Sequence, residues 1–168
     1  MGKINLARVD ERLIHGQVMT TLTNRAGVNS IFVVDDTVAG DPFMKNVYKT
    51  AGSRTGLKTI VMTIDKCKEN WDKTEFKEYN CILIAKTIDT FHELAKHGIP
   101  MEELNVGGMP ATDSGEDVQV SGTVSMSKDD ALKLKEMHED FGVKNIYLQA
   151  TPSDTKVTYK DTLNKFNL

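Results

Sequence analysis

Short apolar segments alternate with amphipathic segments along the chain, and this alternation restricts the possible folds more than any other feature of the sequence. The strongest apolar runs, 31–34 and 82–84, are rich in β-branched residues and have no polar side. Such runs are typical of parallel strands that are covered on both faces of a sheet. The sequence predicts strands at residues 4–9, 30–34, 59–63, 80–85, 103–106 and 145–149.

Helical segments lie between the predicted strands, and two of them carry clear N-terminal caps. Asp41 and Pro42 suit the N-cap and the first helical position, and Ser127 precedes an acidic first turn. Helices are predicted at 18–26, 41–52, 87–98 and 127–142, with a short one in the polar tail after residue 151. Alternating strands and helices predict an α/β fold, a doubly wound and mostly parallel sheet with helices on both faces, in a single domain over residues 1–168.

The segment 107–122 interrupts this pattern, because it is polar, contains several glycines and is too long for a simple turn. We expect an excursion or a short hairpin there, with 118–124 as a candidate strand. Its first residues, Gly107 and Gly108, follow a predicted strand, and ligands collect beyond the carboxyl ends of strands in open α/β sheets. A ligand cradle and a plain loop turn are both compatible with this glycine pair.

Composition and charge argue against several classes of function. With 21 Lys and Arg against 24 Asp and Glu, the chain has a net charge of −3, which disfavours nucleic acid as a partner. No run of about 18 apolar residues is present to span a membrane, and the N-terminus lacks the apolar region of a signal peptide. Cys67 and Cys81 show no metal-ligand spacing, so we expect no zinc site, and reduced thiols fit a cytosolic protein.

The stretch 8–18 holds the strongest candidate for chemistry. It follows the first predicted strand and leads into a helix, so the free amides and positive dipole end of that helix lie near His15. A neutral imidazole is a nucleophile, and the guanidinium group of Arg12 can bind phosphoryl oxygens. Asp10 can orient the side chain of Arg12 or of His15. Gly16 permits close approach of the backbone. The sequence therefore predicts that His15 carries a phosphoryl group, although a packed histidine beside a solvated arginine has the same spacing.

A second acidic pair follows the second predicted strand, at the same edge of the predicted sheet. Asp35 and Asp36 are candidates for orienting a phosphoryl group or a metal, and solvated turn carboxylates are the alternative. Because phosphoryl transfer asks a protein mainly for in-line positioning and charge compensation, we expect no metal and no other cofactor.

The stretch 8–18, RVDERLIHGQV, resembles the phosphorylation-site signature of IIB proteins in the mannose, fructose and sorbose family of the sugar phosphotransferase system, which includes N-acetylgalactosamine branches. Further matches to that family follow in order along the chain, at 33–36, 41–43, 103–109, 124–127 and 151–154. The resemblance covers essentially the whole chain, and the motifs together are far more specific than any one of them. It implies a doubly wound α/β domain, in agreement with the strand and helix pattern.

The resemblance also implies a phosphocarrier function and roles for site residues. In this family a phosphohistidine of the IIA partner donates its phosphoryl group to the histidine that matches His15, which is phosphorylated on Nδ1. That histidine then transfers the group to a sugar delivered by the membrane subunits IIC and IID. Arg12 matches the arginine that helps bind the phosphoryl group, and the backbone amides of Leu13, Ile14 and His15 would complete its cradle. Other predicted contributors are Arg8, Gly16, Gln17, Asp35, Asp36, Gly107 and Gly108.

Such a protein is expected in the cytoplasm, associated peripherally with the membrane through IIC and IID. An amino sugar such as N-acetylgalactosamine is favoured over mannose, fructose or sorbose. No exposed apolar stripe is evident in the predicted helices, so the sequence predicts no particular oligomer. Two other functions stay open: a non-catalytic module that binds a phosphorylated metabolite, and a regulatory phosphoprotein in which phosphorylated His15 controls contact with a transcription regulator.

Overall fold

Parallel strands form the centre of the molecule in this computed structural model, which describes residues 1–168 apart from the side chains of Gln17 and Val18. The strands are β1 (Lys3–Asp10), β2 (Ser30–Val34), β3 (Lys58–Met62), β4 (Asn80–Ala85), β5 (Glu103–Gly108), β6 (Val118–Gln119), β7 (Ser125–Met126), β8 (Asn145–Leu148) and β9 (Val157–Thr158). Seven of them form one sheet in the order β3-β2-β4-β1-β5-β8-β9. In that sheet β9 runs antiparallel to β8, and all other neighbours are parallel.

Helices connect the strands, and two of them start at the predicted capping residues. The helices are α1 (Gly16–Thr23), α2 (Asp36–Gly40), α3 (Pro42–Ser53), α4 (Ile64–Thr74), α5 (Ile88–Lys96), α6 (Lys128–Glu139) and α7 (Tyr159–Asn164). The Asp41 carboxylate accepts hydrogen bonds from two amides at the start of α3, and Ser127 forms a capping box with Asp130 at the start of α6. Both predicted caps are confirmed. None of the helices in the described residues is long and apolar enough to cross a membrane.

The helices cover both faces of the sheet, because successive residues of a strand point to opposite sides. Ile82 and Ile84 of β4 belong to a buried cluster that includes residues of α1, α2 and α3. Cys81 and Leu83 of the same strand belong to a second cluster that includes residues of α4, α5, α6 and α7. The predicted α/β fold, with a doubly wound and mostly parallel sheet, is confirmed.

Three elements are absent from the sequence prediction. The prediction places a loop where α2 lies, no element where α4 lies, and no strand where β9 lies. Helix α4 is strongly charged, and its apolar stripe is short, with Cys67 buried and Ile64 and Trp71 packed partly against the core. Thr63 was predicted to end a strand, but its hydroxyl instead caps α4 by accepting a hydrogen bond from the Lys66 amide.

Some predicted bounds also differ from the structure. Strand β5 continues through Gly107 and Gly108 before the chain leaves the sheet, and the segment that follows forms the predicted hairpin with β6 and β7 as its arms. Helix α1 ends at Thr23 rather than at residue 26. The chain turns after Thr23. In that turn Arg25 forms an ion pair with Glu103 at the start of β5.

The two cysteines are free and buried. Burial raises the pKa of the Cys67 thiol to about 12, so this group stays neutral at physiological pH. Cys81 packs as a small apolar side chain in the core, as the sequence predicts.

Candidate active site

The loop between β1 and α1 lies at the carboxyl edge of the sheet, where the fold directs its helices to opposite faces. Strand β1 lies between β4 and β5. Helix α1 follows β1 over one face of the sheet, whereas α5 follows β4 over the other. A crevice opens at such a switch point, and this is where ligands bind in open α/β sheets. The loop carries His15, the predicted nucleophile, as the N-cap residue of α1.

A buried carboxylate holds the His15 ring. Asp10, the last residue of β1, is fully buried, and its Oδ2 atom lies 2.8 Å from His15 Nε2. An ionised carboxylate only accepts hydrogen bonds, so Nε2 carries the ring proton and Nδ1 keeps a lone pair. The His15 side chain is 19% exposed. The structure thus brings together two predicted site residues through Nε2 of the His15 ring.

The surroundings of Asp10 keep it ionised. Burial by itself raises the pKa of this carboxyl, because it disfavours the charged form. The hydrogen bonds from the His15 ring and the Arg12 amide, together with the nearby charge of Arg8, outweigh burial and hold the pKa of Asp10 below its usual value. Asp10 is therefore a stable anion beside the imidazole.

Arg12 lies at the open side of this group. Its amide donates to Asp10 Oδ1 at 3.1 Å, and its Nε lies 3.4 Å from the same oxygen. The side chain is 55% exposed. The rest of its guanidinium group is therefore accessible to an anion at the loop.

Arg8 occupies a different position from the one predicted for it. Its guanidinium is buried beneath the loop, where Nη2 donates to Asp10 Oδ2 at 3.0 Å and to the Ala150 carbonyl at 2.9 Å. Nη1 donates to the Asn105 side chain. Burial lowers the pKa of Arg8, and Asp10 opposes that effect. Arg8 is thus the internal counter-ion of Asp10 and is not placed to bind a phosphoryl group, which corrects the prediction that it contributes to the loop.

The two glycines of β5 make room for these charged side chains. A Cβ atom on Gly107 would lie 2.2 Å from Nη2 of Arg8, and one on Gly108 would lie 3.1 Å from Oδ1 of Asp10. The Gly108 carbonyl also accepts a hydrogen bond from the Glu11 amide at 3.1 Å. The pair therefore leaves the space that the side chains of Arg8 and Asp10 occupy, a role that the sequence analysis does not predict.

The backbone of the loop is strained at one position and glycine-dependent at another. Leu13 has a φ of 56°, a left-handed value that costs about 1–2 kcal/mol in a non-glycine residue. Its side chain is fully buried, and its amide donates to the Asp10 carbonyl at 3.0 Å. The predicted contribution of this amide to a phosphoryl cradle would therefore compete with its hydrogen bond to Asp10. Gly16 has a φ of 50° with open space around it, so conformation rather than close approach requires a glycine there.

An open cleft of about 440 Å³ lies beside His15. Ile14, His15 and Gly16 line it from the loop, and Ala51, Arg54 and Thr55 line it from the end of α3, with Met19 and Thr20 of α1. The sequence analysis does not predict Arg54 as a site residue. The fold alone brings it to the cleft, and no motif around position 54 marks it. The lining contains two potential cations, His15 and Arg54, and no carboxylate.

The remaining predicted residues lie away from this group or outside the description. Asp35 Oδ1 accepts from the Val38 amide at 2.8 Å and caps α2, and Asp36 Oδ1 accepts from the Ile64 amide at 2.8 Å. No described hydrogen bond joins either carboxylate to Asp10 or His15. The side chain of Gln17 lies outside the described residues. Among those residues, no group of three or more His, Cys, Asp or Glu is placed to hold a metal.

Comparison with known proteins shows the family. The family model for the PTS system sorbose subfamily IIB component matches residues 4–168. The chain is 33% identical to the sorbose-specific EIIB component of Lacticaseibacillus casei, over 84% of each protein. It is 32% identical to the N-acetylgalactosamine-specific phosphotransferase enzyme IIB component 1 of Escherichia coli K12, over 94% of this chain and 97% of that one.

A solved structure agrees with these sequence matches. The crystal structure of manxB from Thermoanaerobacter tengcongensis superposes with a TM-score of 0.88 and 36% identity, over 99% of this chain and 98% of that one. The family predicted from the motifs is confirmed. The chain belongs to the sorbose subfamily of IIB components, which are the phosphocarriers and protein-phosphohistidine–sugar phosphotransferases of the phosphoenolpyruvate-dependent sugar phosphotransferase system.

Proposed function

We propose that Nδ1 of His15 is the atom that carries the phosphoryl group in this IIB component. The observation that carries the proposal is the 2.8 Å hydrogen bond between His15 Nε2 and Asp10 Oδ2. With the proton held on Nε2, the nitrogen that remains for reaction has the lone pair that a nucleophile needs. His15 also lines an open cleft, as a group that must meet two partner proteins in turn requires.

The other residues of the loop position the reaction and compensate its charge. Asp10 is a positioning residue that acts through the His15 ring. Arg12 binds phosphoryl oxygens with its exposed guanidinium group. No described hydrogen bond uses the amides of Ile14, His15 and Gly16, and these amides lie at the positive end of α1. Together they form the phosphoryl cradle.

The transfer proceeds by in-line displacement at phosphorus. The lone pair of His15 Nδ1 attacks the phosphorus atom of the donor phosphohistidine, and a new N–P bond forms as the donor N–P bond breaks. The donor imidazole regains its electron pair. His15 keeps its Nε2 proton, and the Asp10 carboxylate stabilises the resulting cation at 2.8 Å. In the second step a sugar hydroxyl oxygen attacks phosphorus and an O–P bond forms as the Nδ1–P bond breaks. The electron pair of the broken bond returns to Nδ1, and the hydroxyl proton passes to solvent.

The family implies a IIA protein as phosphoryl donor and IIC and IID subunits as partners. We place the protein in the cytoplasm, held against the membrane by IIC and IID. N-acetylgalactosamine is the first sugar to test, since the sequence analysis favours it and two N-acetylgalactosamine-specific relatives are 31% and 32% identical to this chain. Sorbose, fructose and mannose complete the panel, because other relatives carry those names.

The experiment is phosphorylation of the purified protein by a relay driven by phosphoenolpyruvate with a competent IIA. The wild type and His15→Ala are compared for labelled phosphate that is acid-labile and base-stable. We expect the wild type to be labelled and the variant to remain unlabelled. ³¹P and ¹⁵N NMR of the phosphorylated protein then identifies the nitrogen, and we expect Nδ1.

Two results would overturn the proposal. If both proteins stay unlabelled while IIA is phosphorylated, His15 is not a carrier, and the site is a module that binds phosphorylated metabolites. If His15→Ala is labelled as fast as the wild type, another residue carries the phosphoryl group. Transfer of label to sugar in the presence of membranes with IIC and IID separates a transport component from a regulatory phosphoprotein.

A further inference from the structure

Helix α3 presents an apolar surface that its own fold leaves uncovered. Phe43 is 75% exposed and Val47 is 41% exposed. Residues four apart lie on one side of a helix, so these two side chains are neighbours. Ala51 continues the same side, and a depression lined by Val47, Ala51 and Arg54 connects it to the cleft at His15. The sequence prediction that no exposed apolar stripe exists is therefore wrong.

This surface carries a positive charge at Arg54, although the chain as a whole is acidic. The segment 42–54 contains no Asp or Glu, whereas the net charge of the chain is −3. No ion pair among the described residues involves Arg54. The cleft that Arg54 shares with His15 is lined by no carboxylate. An anionic group that approaches His15 along α3 thus meets positive charge without a competing internal anion.

We propose that the face of α3 formed by Phe43, Val47, Ala51 and Arg54 docks the phosphorylated IIA donor. The apolar residues supply the contact that excludes water, and Arg54 meets the phosphoryl group that the donor brings to His15. Phenylalanine and arginine are both enriched at protein interfaces relative to the rest of the surface. This inference rests on the proposed function of His15.

The charge of this face favours the donor over the membrane subunits. When the donor docks, His15 is unphosphorylated and the negative phosphoryl group is on the donor. The positive charge of Arg54 therefore attracts the donor. When the protein meets IIC and IID, the phosphoryl group is already on His15, and Arg54 has an internal anion nearby. The docking face is thus most complementary to the phosphorylated donor.

The test compares initial rates of phosphoryl transfer from purified phospho-IIA to the wild type, Val47→Glu and Arg54→Glu, at donor concentrations below and above saturation. Leu132→Glu is the matched control, because Leu132 is 44% exposed on α6, which packs on the opposite face of the sheet. We expect each α3 variant to lower the rate at subsaturating donor about tenfold or more, as like charges at an interface do. Saturating donor should restore most of the rate of Val47→Glu, and the control should match the wild type.

A small phosphoryl donor separates docking from chemistry. Phosphoramidate labels histidine without a protein partner, so it should label the wild type and Val47→Glu equally. Failure of phosphoramidate and of phospho-IIA to label wild-type His15 would remove the proposed function itself. Equal transfer from phospho-IIA to Val47→Glu, Arg54→Glu and the wild type would overturn the docking proposal alone. It would also be overturned if the variants slowed only the transfer from the phosphorylated protein to sugar in membranes with IIC and IID.

Discussion

At the scale of single residues, the site depends on a carboxylate that accepts hydrogen bonds from two side chains at once. Oδ2 of Asp10 accepts from His15 Nε2 at 2.8 Å and from Arg8 Nη2 at 3.0 Å. Arg8 compensates the buried charge from inside, which leaves the carboxylate able to hold the imidazole at the surface. A buried charge without such a partner is strongly unfavourable. The orientation of His15 thus depends on Arg8, which is buried beneath the loop.

Replacing Arg12 tests the cradle without disturbing the core. Because its side chain is 55% exposed, Arg12→Ala should change the free energy of unfolding by less than about 0.5 kcal/mol. Transfer from phospho-IIA should slow by about 10²-fold, the effect expected when one charge-compensating donor is lost. Arg12→Lys should recover part of the rate. Unfolding of Arg12→Ala, or a normal transfer rate, would contradict the assigned role.

The pH dependence of stability should report the ion pair of Asp10. Its pKa is lowered in the folded protein, so the unfolded chain binds a proton more readily and the stabilisation is complete above the unfolded value of about 3.9. It is lost as the pH falls from there through the folded pKa. Urea unfolding between about pH 6 and 3 should therefore show a steeper acid loss in the wild type than in Asp10→Asn. Parallel curves would mean that Asp10 does not contribute.

Gly107 should tolerate no side chain. A Cβ atom 2.2 Å from Arg8 Nη2 must displace the guanidinium, so Gly107→Ala should cost about 1–3 kcal/mol in the free energy of unfolding, as overpacking does. It should also slow transfer, since Arg8 compensates Asp10. Gly122→Ala is the control, because open space surrounds that position. If thermal denaturation gave the two variants equal stability, displacement of the Arg8 guanidinium would not change the stability of the protein.

At the scale of secondary-structure elements, short polar segments decide the geometry around the loop. Helix α2 is only five residues long and begins after an Asp35 cap, and a single residue, Asp41, separates its end from the start of α3. Together they place the C-terminal end of α3, with Arg54, against the loop that follows β1. The sequence predicts the start of α3 from Asp41 and Pro42, but it does not predict α2, because a single helical turn lacks a periodic pattern.

The cap of α2 provides the test at this scale. Asp35→Ala should lower the free energy of unfolding by about 1 kcal/mol, because the Val38 amide loses its acceptor. Asp35→Asn keeps a capping oxygen and should lose little. Neither variant should change the transfer rate per folded molecule, since no described hydrogen bond links Asp35 to the cluster of Asp10 and His15. A selective loss of transfer in Asp35→Asn would place this carboxylate in the reaction.

At the scale of the whole molecule, one sheet joins two apolar clusters. Strand β4 contributes Ile82 to the cluster beneath α1, α2 and α3, and Leu83 to the cluster beneath the other helices. Because the same strands stabilise both faces, a substitution that weakens the packing on one face should also lower the stability of the other. The site at the edge of the sheet rests on this shared support.

Unfolding of an Ile82 variant tests this coupling. Ile82→Ala should lower the free energy of unfolding by about 2–5 kcal/mol, and Ile82→Val by about 0.5–1.5 kcal/mol. Trp71, the single tryptophan, packs against the opposite cluster. Its fluorescence and the far-UV circular dichroism should therefore change in one coincident transition. A tryptophan transition that stays at the wild-type midpoint while the circular dichroism shifts would mean that the two faces unfold independently.

Much of the fold was predictable because its signals are local. The strands that are apolar on both faces and the helix caps at Asp41 and Ser127 can be recognised from adjacent residues. The structure confirms both. Helix α4 was missed because its buried side is short and its composition is highly charged. In the site, the motif predicted the group of Asp10, Arg12 and His15, since these residues occupy one turn of the chain.

Adjacent residues were enough to predict the α/β class, the family and the histidine that we propose as the phosphoryl carrier, because periodicity, caps and a contiguous motif are properties of neighbours in the chain. The tertiary structure alone decided which nitrogen of His15 faces Asp10, why Arg8 is internal and why Gly107 has no side chain. It also brought Arg54 to the cleft. These features depend on contacts between β1, β5 and α3, which are distant in the chain and meet only when the sheet has formed.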